Sequence, residues 1–288
     1  MKILNFTFKV LKKLKLYKLA NLLINIKHKI ILKKLEKIGK DIIIKYKNKN
    51  IKKENNTIWI LWYQGEEQAP EIVKESIKSV RKFYDNVIVL DEKNLEDYIK
   101  IDNNILSKFK KGLITKTHFS DIVRMKLLSE HGGYWFDSTI YLTNKVDLGT
   151  LFFTPKLNPN DLNNRFQVSK GAWCGFCIGG TDITLYNFCY DFFVKYWKEN
   201  DKLIDYYLID YVIKLAYNNL EFVKNQIDQN EYNNSNIFKL ESIINESYDE
   251  NMFKELTKEN HIHKLSYKIK INEDYNNFYY KVIKKCKR

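Results

Sequence analysis

One segment constrains the fold more than any other, HFSDIVRMKLLSEHGGYWFDSTIYL, which covers residues 118–142. Its first half carries apolar residues at helical spacing, and Gly132-Gly133 can end a helix because glycine adopts the left-handed conformation without strain. An apolar strand follows, interrupted by one carboxylate, Asp137. An unpaired charge in a buried strand is costly, so Asp137 is either paired or stands at a strand end where it holds a ligand.

The predicted helix places an acid and a base on one face. Asp121 and Arg124 are three residues apart, and His118 lies one turn before Asp121. Since the glycine turn is short, this face should come within reach of Asp137. Two interpretations remain open from the spacing alone, an ordinary salt bridge between helix and strand, and a charged ligand site.

The region after residue 56 has the pattern of an α/β domain. Residues 57–63 form an apolar strand, 70–84 a helix with proline at its start, and 86–90 a second strand. This βαβ opening predicts a parallel sheet that binds ligands at the carboxyl ends of its strands. The residues at the end of the first strand are therefore candidates for ligand binding. They are Trp62, Tyr63, Gln64 and Gly65. Trp62 or Tyr63 could stack on a nucleobase, and core packing is the alternative for these aromatic side chains.

The C-terminal half continues with a strand over 173–180 and helices over 183–199 and 203–218. Asp205 and Asp210 stand among tyrosines in the last helix. They can be read as a solvated helix edge or as ligand contacts.

Charge is concentrated at the N-terminus. Residues 1–53 contain 17 lysines and two acids, Glu36 and Asp41, a net charge of +15. The whole chain carries +14, so by difference residues 54–288 carry about −1. This divides the chain into a basic extension and a nearly neutral body. Nucleic-acid binding is disfavoured, because it requires a basic surface on the folded domain.

The extension has the pattern of an amphipathic helix suited to an anionic membrane surface. Lys9, Lys13 and Lys27 lie roughly opposite an apolar face, although a helix packed on the body or on a partner fits the same pattern. No apolar run approaches the roughly 20 residues needed to span a bilayer, and the recurring lysines argue against a signal peptide. The apolar face comprises Phe8, Leu11, Leu19, Leu22, Ile26 and Ile30.

The four cysteines are Cys174, Cys177, Cys189 and Cys286. The first two form a C-x-x-C pair, but no second pair stands at zinc spacing, and a three-residue offset in a strand directs the thiols to opposite faces. We interpret all four as reduced structural thiols, which is typical of a cytoplasmic protein.

The motif S-D-x-x-R-x-x-x-L-x-x-x-G-G-x-W-x-D-x-T at residues 120–139 resembles the core of the capsular polysaccharide synthesis glycosyltransferases. It is more distantly similar to the D-x-D mannosyl- and galactosyltransferases and to the glucosylating toxins. Segments 59–80, 196–217 and 262–268 are similar to the same family, so the resemblance extends from about residue 56 to the C-terminus. Thr139 stands where the second carboxylate of D-x-D would be.

The resemblance implies a GT-A-type, Rossmann-like nucleotide-sugar-binding domain over 54–288. It implies a retaining transferase that moves a sugar, most simply from a UDP-sugar, to a glycan or lipid-linked glycan at the inner face of a bacterial cell membrane. Asp121, Arg124 and Asp137 would be catalytic, and Asp205 would contact the acceptor. Asp137 and His263 would hold Mn²⁺ or Mg²⁺. The donor would contact Trp62, Tyr63, Gln64, Gly65, Ser138, Thr139, Lys264 and Lys268.

Two alternatives belong to other functional classes. The missing second carboxylate would suit a catalytically inactive sugar-binding or scaffold homologue. The N-terminal lysines would suit a basic nucleic-acid-binding protein.

Overall fold

The computed structural model describes residues 2–149, 151–230, 233–234 and 236–285. Cys286 lies outside this part of the chain. The strands are β1 (Ile58–Leu61), β2 (Val87–Leu90), β3 (Gly133–Phe136), β4 (Ile140–Leu142), β5 (Cys177–Gly180) and β6 (Ile262–Lys264). The helices are α1 (Lys2–Lys13), α2 (Tyr17–Ile38), α3 (Lys40–Tyr46), α4 (Glu71–Arg81), α5 (Leu95–Tyr98), α6 (Asn103–Lys110), α7 (Lys116–His131), α8 (Leu162–Arg165), α9 (Thr184–Glu199), α10 (Leu208–Asn219), α11 (Glu221–Gln229), α12 (Lys239–Ser242) and α13 (Glu250–Thr257).

The main sheet has four strands in the order β2-β1-β3-β5. β1 pairs in parallel with both β2 and β3, and β5 runs antiparallel to β3. A second, two-stranded sheet pairs β4 with β6. The predicted α/β class and its βαβ opening are confirmed: β1, α4 and β2 follow one another, with Pro70 directly before α4.

The main sheet separates two hydrophobic cores because side chains alternate along each strand. Trp59 and Leu61 of β1 face a core built with α7, α9 and α10. Ile58 and Ile60 face a second core that contains α4, both strands of the small sheet and the C-terminal π-helical turn Tyr279–Ile283. The sheet is therefore covered on both sides, which leaves its strand ends as the place for a ligand.

The N-terminal helices are not a detached arm. Ile31 and Leu35 of α2, with Ile42 and Tyr46 of α3, belong to the larger core. Gly39 joins the two helices, and a Cβ there would lie 2.8 Å from the Phe192 ring. The change of charge near residue 53 thus does not coincide with the edge of the core. Among the described residues, none of the helices combines the length and the hydropathy that a bilayer-spanning segment needs.

Several element boundaries differ from the sequence-based expectation. The strand around Asp137 is two strands in two sheets, joined by a turn in which the Ile140 amide donates to the Asp137 carbonyl at 2.9 Å. β5 begins only at Cys177, so Cys174 lies outside the strand and the expected opposite-face arrangement does not apply; Cys174, Cys177 and Cys189 are all buried free thiols. The last long helix begins at Leu208, after the Asp205 carboxylate has accepted a hydrogen bond from the Tyr207 amide, a local bond that competes with helix formation.

Candidate functional site

The candidate site lies where the order of the strands reverses. From β1 the chain passes to β2 on one side and later returns to β3 on the other side of β1. In open α/β sheets, ligands bind beyond the carboxyl ends of the two strands at such a point. Trp62 follows the last residue of β1, and Asp137 follows the last residue of β3. The topology therefore brings these two predicted site residues to the same edge.

Asp137 accepts hydrogen bonds from three side chains. Its Oδ1 lies 2.9 Å from Arg124 Nη2 and 2.9 Å from Trp135 Nε1. Its Oδ2 lies 2.9 Å from Lys264 Nζ, which also donates to Thr139 Oγ1 at 2.6 Å. Burial by itself would raise the pKa of Asp137, but the positive charges of Lys264 and Arg124 hold it below its ordinary value. The carboxylate is therefore ionised at neutral pH.

Helix α7 positions Arg124. Its first turn is capped by the Thr115 hydroxyl, which accepts from the His118 amide, and it ends at Gly132, whose φ of 67° is left-handed. The Arg124 guanidinium stacks on the Trp135 ring at 5.0 Å, and its Nη1 lies 3.4 Å from Asp121 Oδ1. Its Nε is buried without a hydrogen-bond partner. A buried donor without a partner is costly, so a bound ligand would stabilise this arrangement.

Two further carboxyl groups lie near the guanidinium. Burial, with the negative charges of Asp137 and Asp210, raises the pKa of Asp121 to about 7 against the opposing effect of Arg124. Burial also raises the pKa of Asp210 to about 6, although Trp173 Nε1 donates to its carboxylate at 3.0 Å. Asp210 belongs to this group, although the sequence singled out only Asp205 as an acceptor contact. The only sequence feature that could have identified Asp210 is an acid among aromatic residues in a predicted helix, and Asp205 has the same feature.

Asp205 does not join this group. It forms a buried ion pair with Lys27 of α2, at 2.7 Å between Nζ and Oδ2. The sequence places Lys27 roughly opposite the apolar face of the helix, and the structure turns that side of α2 towards the body, where Lys27 is buried. Asp205 is therefore held in a structural pair, where a sugar acceptor would have to displace a lysine.

Trp62 lies directly after β1, at the sheet edge where Asp137 follows β3. It is half-buried, its ring packs edge-to-face with Tyr267 at 5.3 Å, and its indole Nε1 is buried without a partner. Tyr63, by contrast, packs against Phe109 and Phe119 at 5.4 and 5.9 Å. The structure thus separates the two expected stacking residues and turns Tyr63 towards the core.

The other expected donor contacts lie around the same edge. Gln64 is exposed, and Gly65 has a φ of 91°, so only glycine suits this turn after β1. Ser138 is half-buried in the turn that follows Asp137. Lys268 is exposed, with its ammonium 5.7 Å from the Tyr267 ring centre. Only Lys264 among the expected phosphate-binding residues contacts Asp137 directly.

His263 is not brought beside Asp137. It neighbours Lys264 on β6, so the two side chains point to opposite sides of the strand. Its imidazole is fully buried, with Nε2 3.3 Å from Thr143 Oγ1, and burial lowers its pKa to about 4. The alternation of a strand explains why adjacent residues in the motif cannot both face the site.

The residues around Asp137 do not fit a divalent metal ion. Both carboxylate oxygens accept from cationic side chains, and Arg124 and Lys264 would repel a second cation. Across the part of the chain that the structure describes, no group of three or more His, Cys, Asp or Glu side chains is arranged to hold a metal. Positive charge at this site comes from Arg124 and Lys264 themselves.

Fold and site together define an α/β protein with a partly buried charged cluster at the carboxyl edge of a largely parallel sheet. A family model described as capsular polysaccharide synthesis protein matches residues 12–283, and the chain belongs to this family. Membership associates the chain with capsule biosynthesis. No curated protein matches the chain, and no solved structure matches it.

Proposed function

We propose that this protein is a retaining glycosyltransferase of the GT-A type. It would move a sugar from a nucleotide-sugar donor, most simply a UDP-sugar, to a glycan or lipid-linked glycan acceptor during synthesis of capsule or another surface polysaccharide. The observation that carries the proposal is the Arg124–Asp137–Lys264 cluster at the strand-order reversal, with Trp62 at the same edge of the sheet. The buried, free thiols are compatible with a cytoplasmic location.

The cationic side chains would act on the diphosphate. When the bond between the anomeric carbon and the phosphate oxygen breaks, the electron pair goes to the leaving diphosphate. Preorganised positive groups stabilise such developing charge strongly in a site that excludes water. Lys264 is the candidate nearest to the cluster, and Lys268 stands exposed at its rim. The side chain of Lys264 is 19% exposed, so a ligand can reach it.

The carboxyl groups would act on the sugar. Asp137, ionised and held by three donors, supplies a fixed negative charge where positive charge develops on the ring. Asp121, with a pKa of about 7, can accept a hydrogen bond from a sugar hydroxyl or donate one. Arg124 keeps its Nε free for an oxygen of the donor. Asp210 would complete this group of charged side chains through its electrostatic interactions with Asp121 and Arg124.

Trp62 would stack on the nucleobase, because it is aromatic, only half-buried and placed at the end of β1. Tyr267 packs against it and would complete the aromatic wall. This role fits any base equally well, so the choice of UDP rests on the family resemblance.

The test is a thermal-shift panel of UDP-, GDP- and CDP-sugars on the full-length protein, followed by an assay of donor hydrolysis and transfer. A ligand that binds the native state raises its melting temperature. Arg124→Lys should abolish the shift, because lysine lacks the Nε–H donor and the planar guanidinium that contacts both Asp121 and Asp137. The matched control is Arg165→Lys, at an exposed arginine. No shift with any nucleotide sugar, with or without Mn²⁺, would overturn the proposal.

A further inference from the structure

Helix α2 has two apolar faces, and the body covers only one of them. Ala20, Ile24, Ile31 and Leu35 are buried on the inner face. On the other side, Leu19, Leu22, Ile26 and Ile30 are exposed to between 39% and 60%. Their spacing of three, four and four residues places them in one row, here named the outer stripe, about 17 Å long at 1.5 Å per residue. A row of this kind exposed on one helix marks an interaction surface.

Helix α1 and the turn after it contribute exposed apolar side chains of their own. Phe6 and Leu14 are 70% and 61% exposed, and Val10, midway between them, is 39% exposed. Phe8 and Leu11, which the sequence placed on the same face as the outer stripe, pack instead in a small cluster with Phe166. Phe8 and Leu11 therefore do not share the exposed face with the outer stripe.

Lysines border the outer stripe. Lys29 lies beside it, and Lys33 and Lys37 continue the same row after Ile30; all three are exposed. Glu36 is the only acid between residues 2 and 38. A protein interface is normally depleted in lysine, whereas an apolar row edged by lysines suits a surface of anionic lipid headgroups.

We propose that the outer stripe docks this protein on an anionic membrane surface, with α2 lying along the headgroup layer. The apolar side chains would enter the acyl boundary and the lysines would meet lipid phosphates. The inner face of α2 is held to the body by its buried residues and by the Lys27–Asp205 ion pair, so docking would orient the whole protein. α10, which carries Asp210, packs directly beneath α2.

The test measures binding of the full chain to vesicles. One set contains phosphatidylglycerol and phosphatidylcholine, and the other contains phosphatidylcholine alone. We expect co-sedimentation with the anionic set at low salt, weakened as salt screens the lysines. Leu22→Gln with Ile26→Gln should reduce the partition coefficient by about tenfold or more, because apolar burial is lost. Leu113→Gln is the matched control, an exposed leucine of the body with 43% exposure.

A second pair of variants tests charge. Lys29→Glu with Lys33→Glu should reduce binding to anionic vesicles by about tenfold or more, since each substitution replaces attraction to the anionic lipid with repulsion. Lys198→Glu with Lys258→Glu, at exposed lysines of the body, should leave binding unchanged. All these positions are exposed, so melting temperatures should stay close to that of the unchanged protein.

Two results would overturn the proposal. One is equal pelleting of the unchanged protein and the outer-stripe variant. The other is a lipid-free dimer, seen by analytical ultracentrifugation, that the outer-stripe variant converts to monomer while no form binds vesicles; the face would then join two copies of the chain. Vesicle binding requires no sugar donor, so failure here is distinct from failure of the proposed sugar transfer.

Discussion

Lys27 Nζ lies 2.7 Å from Asp205 Oδ2, and neither side chain is more than 10% exposed. This ion pair joins the most basic part of the chain to the loop that leads into α10, which carries Asp210. A lysine that the sequence pattern places among surface charges therefore neutralises a buried acid close to the candidate site.

Breaking the Lys27–Asp205 pair should lower the free energy of unfolding measurably. Lys27→Met leaves Asp205 buried and uncompensated, which should lower the free energy of unfolding by about 3–5 kcal/mol. Adding Asp205→Leu should recover much of this loss, because no charge is then left buried. Urea denaturation of the two single variants and the double variant measures the coupling. Additive losses in the double variant would show that the pair contributes nothing specific.

Truncations should distinguish α1 from the rest of the N-terminal region. Removal of residues 2–13 should leave a cooperatively folding protein, because α1 packs in a small separate cluster. Removal of residues 1–53 also takes Ile31, Leu35, Ile42 and Tyr46 out of the main core. Each such loss costs about 2–5 kcal/mol, so the shortened chain should not fold. Circular dichroism during heating is the measurement, and a sharp transition for residues 54–288 near the full-length melting temperature would contradict this expectation.

Asp137→Asn should reduce sugar transfer by about two to three orders of magnitude, because the fixed charge that orients Arg124 and Lys264 is lost. It should also lower stability, since both cations lose their partner. Asp85→Asn is the control at an exposed acid. Turnover numbers and melting temperatures should be compared for both variants. Equal turnover in the two would remove Asp137 from the site.

The raised pKa of Asp121 makes stability depend on pH. In the unfolded chain its carboxyl group has the ordinary value of 3.8, and in the fold its pKa is about 7. Between these values the native state binds more protons than the unfolded state, so this group lowers stability as pH rises from about 4 to 7. Asp121→Asn should flatten the dependence of melting temperature on pH in that window. An unchanged slope would show that Asp121 titrates normally.

Donor binding should survive removal of divalent metal. Arg124 and Lys264 already supply two positive charges next to Asp137. Each oxygen of the Asp137 carboxylate is paired with one of these two side chains. The thermal shift produced by a UDP-sugar should therefore be similar with EDTA and with Mn²⁺. A shift that appears only with Mn²⁺ would restore the metal site that the family resemblance implies.

The elements of the body were predictable because local patterns determine them. The apolar run of β1, the proline before α4 and the glycine pair after α7 each act within a few residues. The same holds for the shared face of Asp121 and Arg124, three residues apart on one helix.

Partners distant in sequence were not predictable in this way. Lys264 meets Asp137 across 127 residues, and neither spacing nor charge at either position indicates that pair. Asp205 and Asp210 look alike in the sequence. Because α10 begins only at Leu208, Asp205 lies in the loop before it and pairs with Lys27, whereas Asp210 lies within the helix, near Arg124.

The sequence by itself determined the βαβ opening, the helix–glycine–strand segment with its acid and base on one face, and the presence of an apolar, lysine-rich N-terminus. Only the tertiary structure decided that Lys264 faces the site while His263 is buried away from it, and that Lys27 points inward while the outer stripe points to solvent. The physical reason is that a periodic pattern states which residues share a face, whereas burial and ion pairing depend on what the rest of the chain packs against that face.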